Sequence, residues 1–227
     1  MPSDFPRSPK FLKGALVAYE SQFLGAVPNI IVFQYNPEQL SRSLSLRTPQ
    51  APEESGKVGK AKAETYRVEG PPVESINLTV VLNAADQLEE PALHPFAVTK
   101  GIHPALSALE LLFYPPSSQF FILETLASTG SAQSARMDTP LVLFVWGPSR
   151  VLPVRLTSFS VTEEAFDQQL NPVQAKVELS LKVLTDVELK KTSLGLGAYK
   201  ATQAQKEVMA LLNMVNNVEQ ISGLLPV

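Results

Sequence analysis

Residues 173–184 (VQAKVELSLKVL) constrain this chain more than any other stretch. Val173, Ala175, Val177, Leu179, Leu181 and Val183 alternate without a break with Gln174, Lys176, Glu178, Ser180 and Lys182. A period of two is the spacing at which a β-strand turns successive side chains to opposite faces, so this run builds a strand with one dry and one wet side. A slip of one residue would expose all six apolar groups, which fixes its register strongly. Whatever else the chain does, it must supply a sheet for this strand to join.

The remaining apolar runs supply partners. Residues 14–20 (GALVAYE), 29–35 (NIIVFQY) and 40–46 (LSRSLSL) are bounded by Gly, Pro and Asn and read as three strands of a β-meander. Residues 73–82 (VESINLTVVL) place Ile76, Leu78 and Val80 on one face. Residues 141–146 (LVLFVW) are continuously apolar, the mark of a strand covered on both sides, and Gly147-Pro148 signals a turn. Residues 151–162 (VLPVRLTSFSVT) offer Val154, Leu156, Phe159 and Val161 to the core, and residues 166–172 (FDQQLNP) form a turn.

Helical spacing is confined to two places. In residues 103–114 (HPALSALELLFY), Pro104 stands near the start, Pro115 and Pro116 stop the helix, and Leu106, Leu109 and Phe113 share one side. In residues 201–221, Val208, Leu211, Leu212, Val215, Val218 and Ile221 form a stripe that either packs on its own domain or docks on a neighbouring subunit. Residues 193–197 read as a flexible connector, and residues 119–126 fit strand and helix alike. The three prolines of residues 1–10 predict a mobile arm, and the polar, Pro-, Gly- and Lys-rich residues 48–72 predict a long loop. The expected class is mainly β with some α: two packed antiparallel sheets or a β-barrel, a flanking helix and a C-terminal helix. The expected organisation is an arm (1–10), a β domain (11–190), and a linker with one helix (191–227).

Chemistry is sparse. The 227 residues contain no cysteine, which removes disulfides, thiolate metal sites and cysteine nucleophiles together. His94 and His103 lie nine apart outside any HExxH or catalytic pattern; they bracket a turn and a helix start. No serine sits in a Gly-x-Ser-x-Gly elbow. The pairs Glu53-Glu54, Glu89-Glu90 and Glu163-Glu164 are adjacent carboxylates, which point to opposite faces in a strand and read as solvated surface. Residues 56–60 (GKVGK) lack P-loop spacing. The expectation is therefore no enzyme, no catalytic, cofactor-binding or metal residues, and no cofactor. A net charge of −3 with both signs interspersed gives no nucleic-acid surface. No run approaches the roughly 18 apolar residues of a membrane span. The first ten residues lack the apolar centre of a signal peptide, so assembly in the cytoplasm is expected.

Four segments carry a resemblance. Residues 33–40 (FQYNPEQL) resemble an F-x-x-N-P-x-x-L strand-end motif. Residues 77–89 (NLTVVLNAADQLE) resemble a strand running into an acidic turn, with Asn83 where an aspartate is usual. Residues 103–114, preceded by Gly101, resemble a Gly-x-His-Pro helix ending in Tyr-Pro. Residues 140–184 contain F-x-W-G (Phe144 to Gly147), P-V-R-x-x-S followed by E-x-x-F (Pro153 to Phe166), and L-x-P-x-x-A-x-V (Leu170 to Val177). In this order, over roughly residues 10–190, the chain resembles the tube-like baseplate or hub proteins of contractile injection systems, of the LysM-type tube-initiator kind. No segment of LysM size follows residue 190, so glycan binding through that module is not expected.

The resemblance implies a tail-tube-like β-barrel whose subunits close six-fold rings. The implied partners are copies of itself or homologous tube subunits, an inner-tube protein, a spike or hub protein, and baseplate wedge proteins. The particle would be released from the cell or anchored at a membrane. A phage tail-tube or tail-terminator protein shares that fold, and a particle-associated cell-wall hydrolase is the alternative from a different class. On this reading Arg155, Ser158, Ser160, Gln174, Lys176, Glu178, Ser180 and Lys182 face either the lumen or the outer surface.

Overall fold

The computed structural model describes residues 12–19, 28–47, 68–115, 139–191 and 193–221, with residues 86 and 215–221 described by backbone alone. The expectations for residues 1–10, 48–67 and 119–126 lie outside the described residues.

The alternating run becomes β7 (Pro172–Val183), and Ala175, Val177, Leu179, Leu181 and Val183 are buried as the pattern requires. It lies near the middle of one antiparallel sheet with β1 (Ala15–Tyr19), β2 (Asn29–Val32), β3 (Leu40–Ser45), β4 (Val73–Asn83), β5 (Leu141–Val145) and β6 (Val151–Phe166). The strand order is β2-β1-β5-β6-β7-β4-β3. The fold is mainly β, as expected, but it holds one seven-stranded sheet rather than two packed sheets. That sheet is not closed: among the described residues no ladder joins β2 to β3.

The expected meander of the first three strands is half right. β1 and β2 pair, but β3 pairs with β4 at the far edge. The reason lies in residues 33–39. Phe33 is buried in the core, Pro37 has no N–H to give to a hairpin, and the chain crosses over instead of turning back. A flat seven-stranded sheet is about 29 Å wide. The eight Cα steps from Val32 to Leu40 reach roughly that far only when fully extended, and the segment is bent at Gln34 and Tyr35. The sheet must therefore curl, which lets residues from both edges share one core, Phe33 and Leu16 with Ile76, Leu78 and Leu179.

β6 changes parity midway. Val154 and Leu156 face the core, and so do Phe159 and Val161, because the pairing with β7 shifts register between Leu156 and Ser158. This bulge absorbs the extra residue and bends the strand, as bulges do.

Four helices complete the described chain: α1 (Ala85–Leu88), α2 (Pro95–Lys100), α3 (His103–Glu110) and α4 (Leu194–Ile221). α3 buries Leu106 and Leu109. Phe113, just beyond it, meets Phe159 edge to face with ring centroids 5.7 Å apart. The turn before α3 is drawn onto β7 by the Ile102 N–H, which donates to Pro172 O at 2.9 Å. Residues 193–197 are not the connector expected. They open α4, and Gly195 is buried against Leu189, Leu141 and Pro153, where a Cβ would stand 3.1 to 3.3 Å from their side chains.

Candidate functional site

Three features of this fold are built rather than incidental: a clamp between the sheet edges, a polar sheet face, and a helix that leaves the body.

The clamp comes from residues 33–36. Gln34 and Asn83 exchange two hydrogen bonds: Gln34 Nε2 donates to Asn83 O at 2.7 Å, and the Asn83 N–H donates to Gln34 Oε1 at 2.9 Å. Asn36 does the same for the start of β1, donating to Leu12 O at 2.8 Å and accepting from the Gly14 N–H at 2.8 Å. A side-chain amide offers one donor and one acceptor, as a peptide unit does, so each residue extends the sheet where the backbone has left it. Between them Phe33 is buried, and its N–H donates to Gly14 O. Gly14 is wedged in: a Cβ there would stand 2.8 Å from the rings of Phe33 and Trp146. Asn83 also accepts the Ala85 N–H on its side-chain oxygen, which starts α1. Sequence reading singled out these residues as a motif but not their work. The signal was a pair of amides, two apart, beside a buried aromatic.

The second feature confirms the expected polar face. Arg155, Ser158, Ser160, Gln174, Lys176, Glu178, Ser180 and Lys182 all lie on the side away from the core. The face continues across β4 and β3 through pairs such as Ser180 with Asn77 and Asn77 with Ser41. Lys182 lies opposite Arg155, an unfavourable pairing. Glu188 offsets it, accepting from Lys182 Nζ at 2.6 Å and lying 3.6 Å from Arg47. Burial pushes the Glu188 carboxyl up, but the Lys182 hydrogen bond, the Thr185 N–H and the charges of Lys182 and Arg47 outweigh it and hold it below its ordinary value.

The third feature is α4. Its first half crosses the end of the sheet where β6 and β4 begin. Thr202 Oγ1 donates to Val151 O at 2.8 Å, and Lys206 Nζ donates to the buried Glu74 at 3.1 Å. Arg42 Nε lies 2.8 Å from the other Glu74 oxygen without aiming its N–H at it, so that arm is a charge contact and not a hydrogen bond. A carboxylate this deep needs both cations, since losing a partner leaves an uncompensated charge. From Glu207 onward every described side chain is exposed, including Val208, Leu211 and Leu212 of the expected stripe. Val215, Val218 and Ile221 have side chains outside the described residues.

The residues weighed for chemistry stay apart. His94 precedes α2 and His103 opens α3; both are exposed, and neither belongs to a metal-holding group among the described residues. Glu89 and Glu90 are exposed in the turn after α1. Glu164 pairs with Lys176 at 2.6 Å, while Glu163 lies on the opposite face. Glu53, Glu54 and residues 56–60 lie outside the described residues. A cavity of about 120 Å³ between Leu112, Phe113, Val142 and Leu156 has Arg155 as its charged lining residue. It is smaller than the roughly 300 Å³ at which ligand pockets begin. No helix among the described residues is long and apolar enough to cross a membrane. No family model matches this sequence, and no curated protein matches it.

Proposed function

We propose that the chain is a structural subunit of a phage-tail-like contractile injection system, a ring-forming inner-tube or baseplate-hub adaptor that joins the spike to the inner tube. The observation that supports this most is the open sheet. β2 and β3 each present a row of backbone N–H and C=O groups with no strand beside them among the described residues. Such edges are a hazard to a lone molecule and an asset to an assembling one. The β3 edge carries Ser41, Ser43 and Ser45 on one face, and its charged residue, Arg42, is drawn to Glu74.

In this reading each subunit offers one edge to the β-strand of the next, and six-fold symmetry closes the ring. The curled sheet is the tube-like barrel wall, with its serine-, threonine- and lysine-bearing face turned to the lumen or the outside. The neighbours are copies of the chain or homologous tube subunits, the inner-tube protein, the spike or hub protein and the wedge proteins. Assembly begins in the cytoplasm, and the work is transmission of force, not turnover of a substrate. Such an interface should bury roughly 2,000 Å² or more per pair.

The absence of cysteine makes the test clean. A variant carrying Ile30→Cys on β2 and Ser43→Cys on β3 is treated with a short thiol-to-thiol crosslinker. Edge pairing between copies gives a ladder that ends at six, whereas either single substitution, having no thiol across the edge, stays a monomer. A double variant that remains a monomer under crosslinking counts against the reading.

A further inference from the structure

We infer that the end of the sheet formed by α1, α2 and the β6–β7 turn is a docking surface for a basic, leucine-bearing helix of a different protein. The contact uses neither sheet edge, so it stands independently of the ring.

Large apolar side chains are left to water at this end. Leu170 is 79% exposed, Phe96 75%, Leu93 71% and Phe166 51%. They come from two parts of the chain that are tied together. The Asn171 side chain, in the turn, donates to Thr99 O of α2 at 3.3 Å. The Ile102 N–H donates to Pro172 O, where β7 begins.

Leu170 is held at φ +64, a left-handed conformation that a leucine rarely adopts. The turn is locked around it: Asp167 accepts the N–H groups of Gln169 and Asn171 and the Asn171 side-chain amide, all within 2.8 Å. Glycine or asparagine would take this backbone conformation at less cost. A leucine here, strained, braced and turned to water, is an arrangement for presenting that side chain to something outside its own core.

Charge and backbone together choose the occupant. Glu89 and Glu90 stand just before Leu93, and Glu163 and Asp167 lie on either side of Phe166. Lys100 opposes them, while Lys176 is taken up by Glu164. An acidic rim around an apolar centre draws a cationic partner and repels an anionic membrane surface. The chain's own α4 is not that partner, because the charged residues in 207–221 are Glu207 and Glu219. The backbone excludes an added strand. The N–H groups of Asp167, Gln169, Leu170 and Asn171 are all taken within the turn. A segment that binds here is therefore held by side chains, as an amphipathic helix is. Its leucines, at three- and four-residue spacing, meet Phe96 and Leu170, and its lysines or arginines meet the carboxylates.

The test titrates the full chain into a fluorescein-labelled synthetic helix of roughly 16 residues, about 24 Å long, with leucines along one side and lysines along the other. Fluorescence anisotropy should show saturable binding that weakens as salt is raised. The same peptide with glutamate in place of lysine should not bind. The variants Phe96→Ser/Leu170→Asn and Glu89→Lys/Glu90→Lys should each weaken binding about tenfold or more. Their circular dichroism should match the parent, and crosslinking between the sheet edges should be the same for all three, whatever its outcome. Leu170→Asn alone relieves the backbone and should melt about 2–4 °C above the parent. A basic peptide that does not bind, a glutamate peptide that binds as well, binding untouched by either variant, or a Leu170→Asn chain that melts below the parent would each overturn the inference. So would binding to phospholipid vesicles, in place of the peptide, that the same variants abolish, since that would assign the tip to a membrane.

Discussion

Replacing Gly101 by alanine tests how closely the helical layer is seated on the sheet. Gly101 has φ +55 and ψ −132, a conformation open to glycine and closed to other residues. Forcing alanine into it costs about 1–3 kcal/mol. The new methyl meets a second obstacle, because its carbon would stand 2.1 Å from Pro172 O and 3.0 Å from the carbonyl carbon. Ordinary carbon–oxygen contacts begin near 3.3 Å, so backbone must move by more than an ångström. The carbonyl displaced is the one that accepts the Ile102 N–H. Ile102 is buried, and orphaning a buried donor costs about 1–3 kcal/mol more. Together these give a loss of about 2–6 kcal/mol, and at roughly 2–4 °C per kcal/mol for a chain of this size the melting temperature should fall by roughly 4–24 °C. Gly147→Ala is the control. Gly147 has φ +77 and nothing within 4 Å of the added carbon, so it should lose only about 1–2 kcal/mol from backbone strain. Thermal melts followed by circular dichroism compare the two. Equal shifts would show that the close approach of Gly101 to Pro172 is not part of the folded structure, and the account of how α2 and α3 are anchored to β7 would fail with it.

Two further outcomes follow from the same structure. Leu179 is 1% exposed in the centre of the core, so Leu179→Asp places a charge where nothing can pair with it and should leave no cooperative melting transition; an unchanged midpoint would mean the face assignment of β7 is wrong. The Glu188 carboxyl titrates below its ordinary value of 4.5, so its contribution is present above that pH and is lost as pH falls through the lower folded value. The parent chain should therefore lose melting temperature below about pH 4.5 more steeply than Glu188→Gln, and parallel curves would show that the Lys182–Glu188–Arg47 cluster does not stabilise the fold.

Strands were legible wherever one residue after another had to choose a side. β7, β4 and β5 could be read because burial on one face, or on both, leaves a period in the sequence. β6 was legible up to the bulge and beyond it, since the core positions Val154, Leu156, Phe159 and Val161 already change parity, and only an extra residue can reconcile them. Strand order was not legible. Nothing in the composition of residues 29–46 says that β2 and β3 part to opposite edges, because the decision is made by Gln34, Asn36 and Asn83 through hydrogen bonds between residues as much as 49 apart in sequence. The start of α4 was missed for a related reason. Ser-Leu-Gly-Leu-Gly has the composition of a linker, and its helical form depends on Leu141, Pro153 and Leu189 being there to receive Gly195.

The same distinction explains why the candidate surfaces were only half visible. A stripe such as Val208, Leu211 and Leu212 announces that it will be buried but not against what, since a core and an interface demand the same residues. Position decides between them. The half of α4 that carries Thr202 and Lys206 is seated by one backbone acceptor and one buried carboxylate, and those two contacts aim the other half away from the body. Glu74 is thus a positioning residue for a surface it does not touch. A carboxylate in the core row of β4 looks like an error in the strand pattern until the lysine that answers it, 132 residues later, is found beside it. The departure from alternation at that one position marks where the sheet stops serving its own core and begins to seat α4.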